Sequence, residues 1–287
     1  MTRILIATTP AAGHVTPFVP LAKALLARGH DVRWYTASKY RSHAEGSGAR
    51  FVGYERAREI DDAKFDQDFP ERARLRGLAQ LKYDMKHVFI DAAPDQLLDI
   101  RAILQNSPAD IVIYDTTMLG ALFHHEQGGP PSLCLGVTPL VLSSGDTAPF
   151  GLGLEPRASF WGRLRNRFLN GFVEKFAFRD VQRHWLQTRA RLELPATGWW
   201  LNHVTRATFY LQPTIPSFEY PRRELADNVH FIGMMPADHP THVPRPDFWD
   251  ELDGSRPIIH VTQGTVANTS SDLIGPALDA LADEDVL

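Results

Sequence analysis

The sequence predicts an α/β fold built on a doubly wound parallel sheet, and three observations lead to that prediction. Short apolar runs alternate with segments of helical periodicity, which is the pattern of repeated βαβ units. The first apolar run, residues 4–7, passes through a Gly-containing stretch into an apolar-periodic segment, Phe18–Ala27. The connecting stretch carries His14 at the sheet edge where open α/β proteins bind ligands.

Composition narrows the class of protein. The 287 residues are enough for one large or two ordinary domains, and 44% hydrophobic with 22% charged residues is typical of a globular chain. The net charge of −4 gives no reason to expect a nucleic-acid partner. No apolar run approaches the roughly 18 residues of a membrane span, and residues 4–7 are too few for a signal peptide.

Cysteine usage indicates a compartment. Cys134 is the one cysteine in the sequence, so an internal disulfide is impossible. That usage is typical of reducing compartments, and we expect a cytoplasmic protein. Cys134 lies in an apolar run between Leu133 and Leu135, so we interpret it as a core residue rather than a nucleophile.

Seven strands and a well-marked first helix are predicted. The strands lie at residues 3–8, 31–36, 50–53, 110–115, 132–136, 207–212 and 229–233. We expect the first five to follow the common order 3-2-1-4-5. For the first helix, Thr16 is the predicted cap, Pro17 suits the first helical position, and Gly29 suits the left-handed exit.

Two segments of the first 234 residues are unusual in composition. Residues 61–76 are rich in charge, which predicts an exposed, mobile connection; a flap that contacts a ligand is the alternative. Residues 145–191 combine many aromatic side chains with many arginines. We predict a helix pair with an apolar inner face and a solvated outer face, and peripheral contact with a membrane surface is the alternative.

The C-terminal part indicates a change of domain. Proline-rich, polar sequence at residues 235–256 predicts an interdomain linker between a Rossmann-like domain, 1–234, and the start of a second one, 257–287. The second part holds a predicted strand, 258–261, and an amphipathic helix, which is one β–α unit. We therefore expect the second Rossmann-like domain to be incomplete, with an open edge on that strand.

The predicted topology brings two titratable residues together. In the expected strand order, strands one and four are neighbours, so their ends flank the crevice of the sheet. His14 follows strand one and Asp115 ends strand four. An aspartate beside an imidazole fixes its tautomer and stabilises the imidazolium that forms on proton uptake. We therefore interpret His14 as a general base supported by Asp115, against the alternative of an ordinary surface histidine.

Four segments carry a family resemblance. They are residues 10–17 (PAAGHVTP), 110–115 (DIVIYD), 227–233 (DNVHFIG) and 261–266 (VTQGTV). Together, and in this order, they resemble the nucleotide-sugar-dependent glycosyltransferases of the GT-B fold, in particular the bacterial macrolide-type UDP-glycosyltransferases. The resemblance extends along essentially the whole chain.

The resemblance implies an inverting sugar transfer to a hydroxyl. His14 would take the acceptor proton, Asp115 would support it, and Gly264 and Thr265 would contact the donor diphosphate. The co-substrate would be a UDP- or dTDP-sugar, with no metal and no other cofactor.

The resemblance also implies that the N-terminal domain binds a small apolar aglycone. The residues expected to shape its pocket are Gly13, Thr138, Phe150, Phe160 and Trp161.

Most of the family's donor-binding segments have no counterpart in these 287 residues. We expect transfer to need a complementing C-terminal half or a swapped homodimer. The alternative is a catalytically incompetent form that acts as an aglycone-binding module.

Overall fold

A seven-stranded parallel sheet forms the centre of the first of two units in a computed structural model of the chain. The units are Met1–Ala237 and Asp238–Leu287. The structure describes residues 1–236, 244–263 and 273–287. Its strands are β1 (Arg3–Ala7), β2 (Asp31–Tyr35), β3 (Arg50–Val52), β4 (Ile111–Asp115), β5 (Ser132–Leu135), β6 (Phe209–Gln212) and β7 (Val229–Phe231). The order is β3-β2-β1-β4-β5-β6-β7. The seven predicted strands and the order 3-2-1-4-5 are confirmed, with ends that differ by one or two residues.

Helices connect the strands in the described parts of the chain. The α-helices are α1 (Ala12–Val15), α2 (Phe18–Ala27), α3 (Arg41–Gly46), α4 (Phe65–Asp68), α5 (Gly77–Tyr83), α6 (Ala93–Asn106), α7 (Leu119–Glu126), α8 (Phe160–Phe172), α9 (Arg179–Arg191) and α10 (Ile274–Leu281). Asp84–Ile90 and Val173–Ala177 are π-helical, the first directly after α5 and the second between α8 and α9. Short 3₁₀ turns lie at Ser38–Tyr40, Asp62–Lys64, Arg72–Arg74, Trp200–Arg206 and Asp247–Glu251.

Both faces of the sheet are buried, as its near-continuous apolar strands predict. Leu5 packs in the cluster formed with α6 and α7, and Ile6 packs with Phe18 of α2 on the opposite face. Cys134 is fully buried, and burial raises the pKa of its thiol. The interpretation of Cys134 as a core residue is confirmed.

The first helix begins differently from the prediction. His14 lies on the helical turn α1 rather than in a loop, and Thr16 has the helical dihedrals φ −53° and ψ −42°. No side-chain hydrogen bond caps α2, so the prediction of Thr16 as the cap is wrong. A residue with helical φ and ψ continues the turn, so its side chain does not occupy the cap geometry. Gly29 has φ +80°, which confirms the left-handed exit.

The charged segment at residues 61–76 is folded into short helical turns and ion pairs, and most of its residues are exposed or half-buried. Lys39 bonds to both Asp61 and Asp62, and Arg72 donates to Asp84 over 2.7 Å. The expected mobility of this connection stays a prediction.

The helix pair predicted within residues 145–191 is present as α8 and α9, but its outer face is not polar. Phe160, Phe168 and Phe176 are 76%, 71% and 71% exposed. The inner face of α8 carries Asn166, which is fully buried. Helical spacing predicts which side chains share a face, and packing alone decides which face turns inward.

In the second unit, the helix α10 is confirmed but the strand predicted at 258–261 is absent from the described residues. The Ile259 N–H donates to the Leu287 carbonyl over 2.8 Å, and the Leu287 N–H donates to the Pro257 carbonyl over 2.9 Å. Of the residues that the structure describes, only Leu287 pairs with this segment, and one paired residue does not form a strand ladder. The predicted strand is therefore not formed among the described residues. The predicted division at 234 and 256 stays a prediction.

Asp99 of α6 is the centre of a buried hydrogen-bond cluster, and its loss is expected to destabilise the fold strongly. Its carboxylate accepts from the Tyr35 hydroxyl and from the N–H groups of Glu55, Arg56 and Ala57, over 2.9–3.1 Å. We expect Asp99→Ala to lower the free energy of unfolding by about 3 kcal/mol, because it leaves buried donors unpaired. Urea denaturation measures this.

The matched control for Asp99→Ala is Asp95→Ala, an exposed aspartate on the same helix. It is expected to change the free energy of unfolding by less than about 1 kcal/mol. Equal effects of the two substitutions would contradict the role given to the Asp99 cluster.

Candidate active site

The site lies where β1 and β4 end side by side. Ala7 pairs with Tyr114 in the parallel ladder, so the residues that follow β1 meet the end of β4. His14 Nδ1 lies 2.7 Å from Asp115 Oδ1. The predicted juxtaposition of His14 and Asp115 is therefore present in the structure.

Hydrogen bonds to the chain hold the Asp115 carboxylate in place. Its side chain is fully buried. Oδ2 accepts from the Thr9 N–H over 2.6 Å, and Oδ1 accepts from the Thr117 N–H over 2.8 Å. Because these donors belong to the backbone, the carboxylate has one orientation, and that orientation directs Oδ1 at His14.

Thr117 is a third member of this cluster that the sequence reasoning missed. Its hydroxyl lies 2.7 Å from Asp115 Oδ1, 2.9 Å from Thr9 Oγ1 and 3.2 Å from His14 Nδ1. The hydroxyl has one proton, which it can donate to Asp115 Oδ1 or to Thr9 Oγ1, but to only one of them at a time. The available signal was the Asx turn, in which an aspartate binds the N–H two residues later.

The two pKa values of the pair move apart. Burial alone lowers the pKa of His14, but the charge of Asp115 and the hydrogen bond to it outweigh burial, so that pKa is raised. Burial alone raises the pKa of Asp115, and the charge of His14 with the hydrogen bonds from His14, Thr9 and Thr117 outweighs it, so that pKa is lowered. Asp115 is therefore ionised, and Nδ1 of His14 carries the proton toward it, which leaves Nε2 to accept another.

The turn that carries His14 is capped from a distant segment. Ala11 has no side-chain oxygen to cap α1, and Asp62 Oδ2 accepts from the Ala12 N–H over 2.9 Å instead. The same oxygen accepts from the Tyr40 hydroxyl over 2.6 Å, and Lys39 pairs with the other. Sequence reasoning missed Asp62 because the contact spans 50 positions and leaves no local pattern.

A cavity of about 300 Å³ opens beside His14. Its walls are mostly apolar, and they include the aromatic residues Phe89, Phe150, Phe178, Trp199 and Trp200. Its polar side chains, besides His14, are Thr116, Thr117, Thr138, Ser143, Asn170, Glu174 and His203. Both π-helical segments contribute to it, through Met85 and Phe89 and through Val173 and Glu174. Such turns widen a helix locally and recur at functional sites.

The predicted acceptor residues divide into two groups. Thr138 and Phe150 line the cavity together with His14. Phe160 and Trp161 do not: they are 76% and 74% exposed on the outer side of α8, because Asn166 and Asn170 occupy the inner side. Gly13 lies on α1 next to His14 but is not part of the cavity wall.

The predicted donor residues, Gly264 and Thr265, lie outside the described residues. A second cavity of about 540 Å³ adjoins the ends of β5 and β6 within the first unit. It is lined by Gly136, Gln212 and Glu219, and it shares Thr138 with the cavity at His14.

Comparison with known proteins places the chain in a family. It is 42% identical over 287 residues to the 4'-demethylrebeccamycin synthase of Lentzea aerocolonigenes, a match covering 99% of this chain and 68% of that protein. It is 34% identical over 300 residues to the UDP-glycosyltransferase 2 of Phaeomoniella chlamydospora, covering 99% and 65%. The chain belongs to the nucleotide-sugar-dependent glycosyltransferases of the GT-B fold. No family model matches it.

Solved structures agree on the GT-B fold. The glycosyltransferase of kitacinnamycin superposes with a TM-score of 0.67 at 17% identity, covering 99% of this chain and 64% of that one. The glycosyltransferase VinC in complex with dTDP gives 0.58 at 18% identity, covering 99% and 65%. This glycosyltransferase chain therefore spans about two thirds of the length of the relatives it matches.

Asp62 is expected to influence turnover through the position of His14. Asp62→Ala removes the cap on α1, and we expect kcat to fall about fivefold with the acceptor KM unchanged, as the loss of one orienting hydrogen bond implies. Steady-state kinetics measures both constants. The control is Asp61→Ala, which loses the same Lys39 partner but touches no residue of α1. Equal losses in the two variants would mean that the charge on Lys39 matters, not the cap.

Proposed function

We propose that the chain transfers a sugar from a nucleoside-diphosphate donor to a hydroxyl of a small apolar aglycone, with inversion at the anomeric carbon. The observation that carries this proposal is that His14, which lines an apolar cavity, is paired with the buried carboxylate of Asp115. The family supports the same reaction class, since relatives are named as UDP-glycosyltransferases and one neighbour was crystallised with dTDP.

In the proposed step, Nε2 of His14 takes the proton of the acceptor hydroxyl as its oxygen attacks the anomeric carbon. The bond from that carbon to the diphosphate oxygen breaks, and the diphosphate leaves with the electron pair. A single displacement from the opposite face inverts the anomeric centre. Asp115 stabilises the imidazolium that forms, and Gly264 and Thr265 are proposed to contact the diphosphate.

The cavity also suggests how an acceptor is recognised. Trp200 is 5% exposed, and its Nε1 has no hydrogen-bond partner among the residues that the structure describes. Burial raises the pKa of Glu174, a second polar group in the wall. We propose that a bound acceptor with an aromatic or apolar body places an oxygen at the buried indole N–H of Trp200, which the cavity wall covers in the unliganded chain.

Trp200→Phe is expected to raise the acceptor KM about fivefold with kcat nearly unchanged, because it removes one hydrogen-bond donor and keeps the aromatic wall. Trp199→Phe is the matched control, since Trp199 lines the same cavity and its indole nitrogen is not among the buried unpaired atoms. The control should stay within about twofold. Equal shifts would assign the effect to packing.

The transfer assay combines the chain with UDP- and dTDP-sugars and a panel of apolar hydroxylated aglycones. It is run with the chain alone and with a separately expressed C-terminal half of a family member, and it measures acceptor-dependent nucleotide release and the glycoside formed. Release in either arm supports the proposal, and a product with retained anomeric configuration would contradict the mechanism. Absence of release in both arms, with folded protein, would contradict the function.

A second candidate function is an aglycone-binding module without turnover. The specific observation in its favour is that His14 and the whole cavity wall lie within the first unit, Met1–Ala237. Titration of the chain with aglycones, in the presence and absence of nucleotide sugar, separates the two. Saturable binding that no donor converts to product favours the module.

A further inference from the structure

The outer side of α8 and of the π-helical segment that follows it carries an exposed apolar stripe, which the proposed reaction does not use. We define the outer stripe as Phe160, Trp161, Leu164, Phe168, Phe172 and Phe176, whose exposed fractions run from 51% to 76%. Apart from Trp161, the members recur every four residues, so they form one row along the helix. An apolar patch of this size on a surface marks an interaction site more often than a scattered exposed residue does.

Polar anchors on the inner side hold the outer stripe outward. Asn166 donates to the Gly145 carbonyl over 3.1 Å, and Asn170 donates to the Ser144 and Thr147 carbonyls over 3.1 and 3.2 Å. Asn166 is fully buried, so a rotation of α8 that covered the aromatic rings would leave its amide unpaired. The exposure of the stripe is therefore built into the fold of the first unit.

The segment that carries the outer stripe is predominantly basic. Residues 155–180 contain six basic residues and three acidic ones, and one of the acidic residues, Glu174, lines the cavity on the inner side, whereas the chain as a whole carries −4. Arg167 and Lys175 are exposed beside the stripe, and Arg179 is exposed at the start of α9. None of the three makes a salt bridge with a described residue. An apolar row beside a cationic row is the pattern of a helix that lies on an anionic membrane surface.

We propose that the outer stripe docks on the surface of a bilayer containing anionic phospholipid. The aromatic and leucine side chains would enter the acyl boundary, and the three free cations would meet lipid phosphates. A second copy of the chain fits less well, because a two-fold contact would set the two cationic rows against each other.

Docking would also hold the acceptor cavity beside the bilayer. Asn170, Val173 and Glu174 line the cavity from the inner side of the same helical segment. An apolar acceptor dissolved in the membrane would then have a short path to His14. This last link rests on the proposed function, and the docking itself does not.

The test is co-sedimentation of the chain with vesicles, which needs no sugar donor and so fails or succeeds independently of the transfer assay. Vesicles of phosphatidylcholine alone are compared with vesicles of roughly three parts phosphatidylcholine to one part phosphatidylglycerol. We expect binding to the anionic vesicles that weakens with salt, and at least tenfold weaker partitioning to phosphatidylcholine alone.

Two variants remove the two halves of the surface. Phe160→Ser/Phe168→Ser/Phe176→Ser and Arg167→Gln/Lys175→Gln/Arg179→Gln are each expected to weaken partitioning at least tenfold, with unchanged thermal melting because the side chains are exposed. The matched control is Phe218→Ser, since Phe218 is 75% exposed and lies in a turn after β6, away from the stripe in the sequence. It should bind as the parent does.

Three outcomes would overturn the proposal. They are absence of binding to anionic vesicles, an equal loss in Phe218→Ser, and a concentration-dependent dimer that the aromatic triple variant abolishes without any vesicle binding. The last, measured by sedimentation equilibrium, would assign the outer stripe to a second copy of the chain.

Discussion

Replacing His14 with alanine is expected to abolish sugar transfer, with a loss in kcat of about 10³-fold or more, while the dissociation constant of the acceptor changes by no more than a few-fold. The acceptor hydroxyl is a weak nucleophile until its proton is removed. His14 lines the cavity, and one of its ring nitrogens is paired with the buried carboxylate of Asp115. The aromatic side chains that are proposed to bind the acceptor stay in place in this variant. Acceptor affinity should therefore be kept while kcat falls.

The control for His14→Ala is His87→Ala. His87 forms the same kind of pair, with Nδ1 2.8 Å from Asp91 Oδ2, but it lies on the surface and outside the cavity wall. Its replacement should leave turnover near normal. Near-normal turnover in His14→Ala would instead exclude His14 as the base, and lost acceptor binding in that variant would indicate a structural role.

Replacing Asp115 with asparagine is expected to lower kcat/KM about 10²-fold or more and to move the acid limb of the pH profile. The ordinary pKa of a histidine is 6.5, and Asp115 raises the pKa of His14 above that value. A base works when deprotonated, so activity in the parent protein falls as the pH drops through a value above 6.5. Without the carboxylate charge, burial is the dominant influence on the pKa of His14 and lowers it. The acid limb of the pH profile should therefore shift to lower pH.

Two measurements separate this effect from simple loss of structure. Asp115 also accepts the N–H groups of Thr9 and Thr117, so the asparagine variant needs its melting temperature and acceptor affinity measured beside its kinetics. Thr117→Val removes only the neighbouring hydroxyl and should cost far less than Asp115→Asn. An acid limb that stays in place in Asp115→Asn would contradict the role given to the carboxylate.

The strands and the His14–Asp115 pair follow from the sequence because both depend on regular geometry. Alternating apolar runs predict parallel strands, and the usual strand order makes β1 and β4 neighbours, which is enough to join His14 to Asp115. The cap on α1 does not follow, because Asp62 reaches it from a segment whose charges indicate solvent. Neither local composition nor periodicity can predict that Asp62 bonds to Ala12, which is 50 residues away.

The outer face of α8 shows a different limit. Four-residue spacing of Phe160, Leu164 and Phe168 predicts that they share a face, and apolar side chains favour the inside. Asn166 and Asn170 instead decide which face of α8 turns inward, because their amides donate to carbonyls of the 144–147 loop. Where two faces of a helix compete for the interior, the pairing of buried amides can outweigh aromatic burial.

The bond between His14 and Asp115 joins positions 101 apart in the chain. Such a contact closes a long loop, and the entropy of that closure is recovered only after β1, β4 and their neighbours have paired. A nascent or partly folded chain therefore has no activated imidazole. During refolding, turnover should recover only when the central sheet is complete. It should therefore recover later than the helix content measured by circular dichroism.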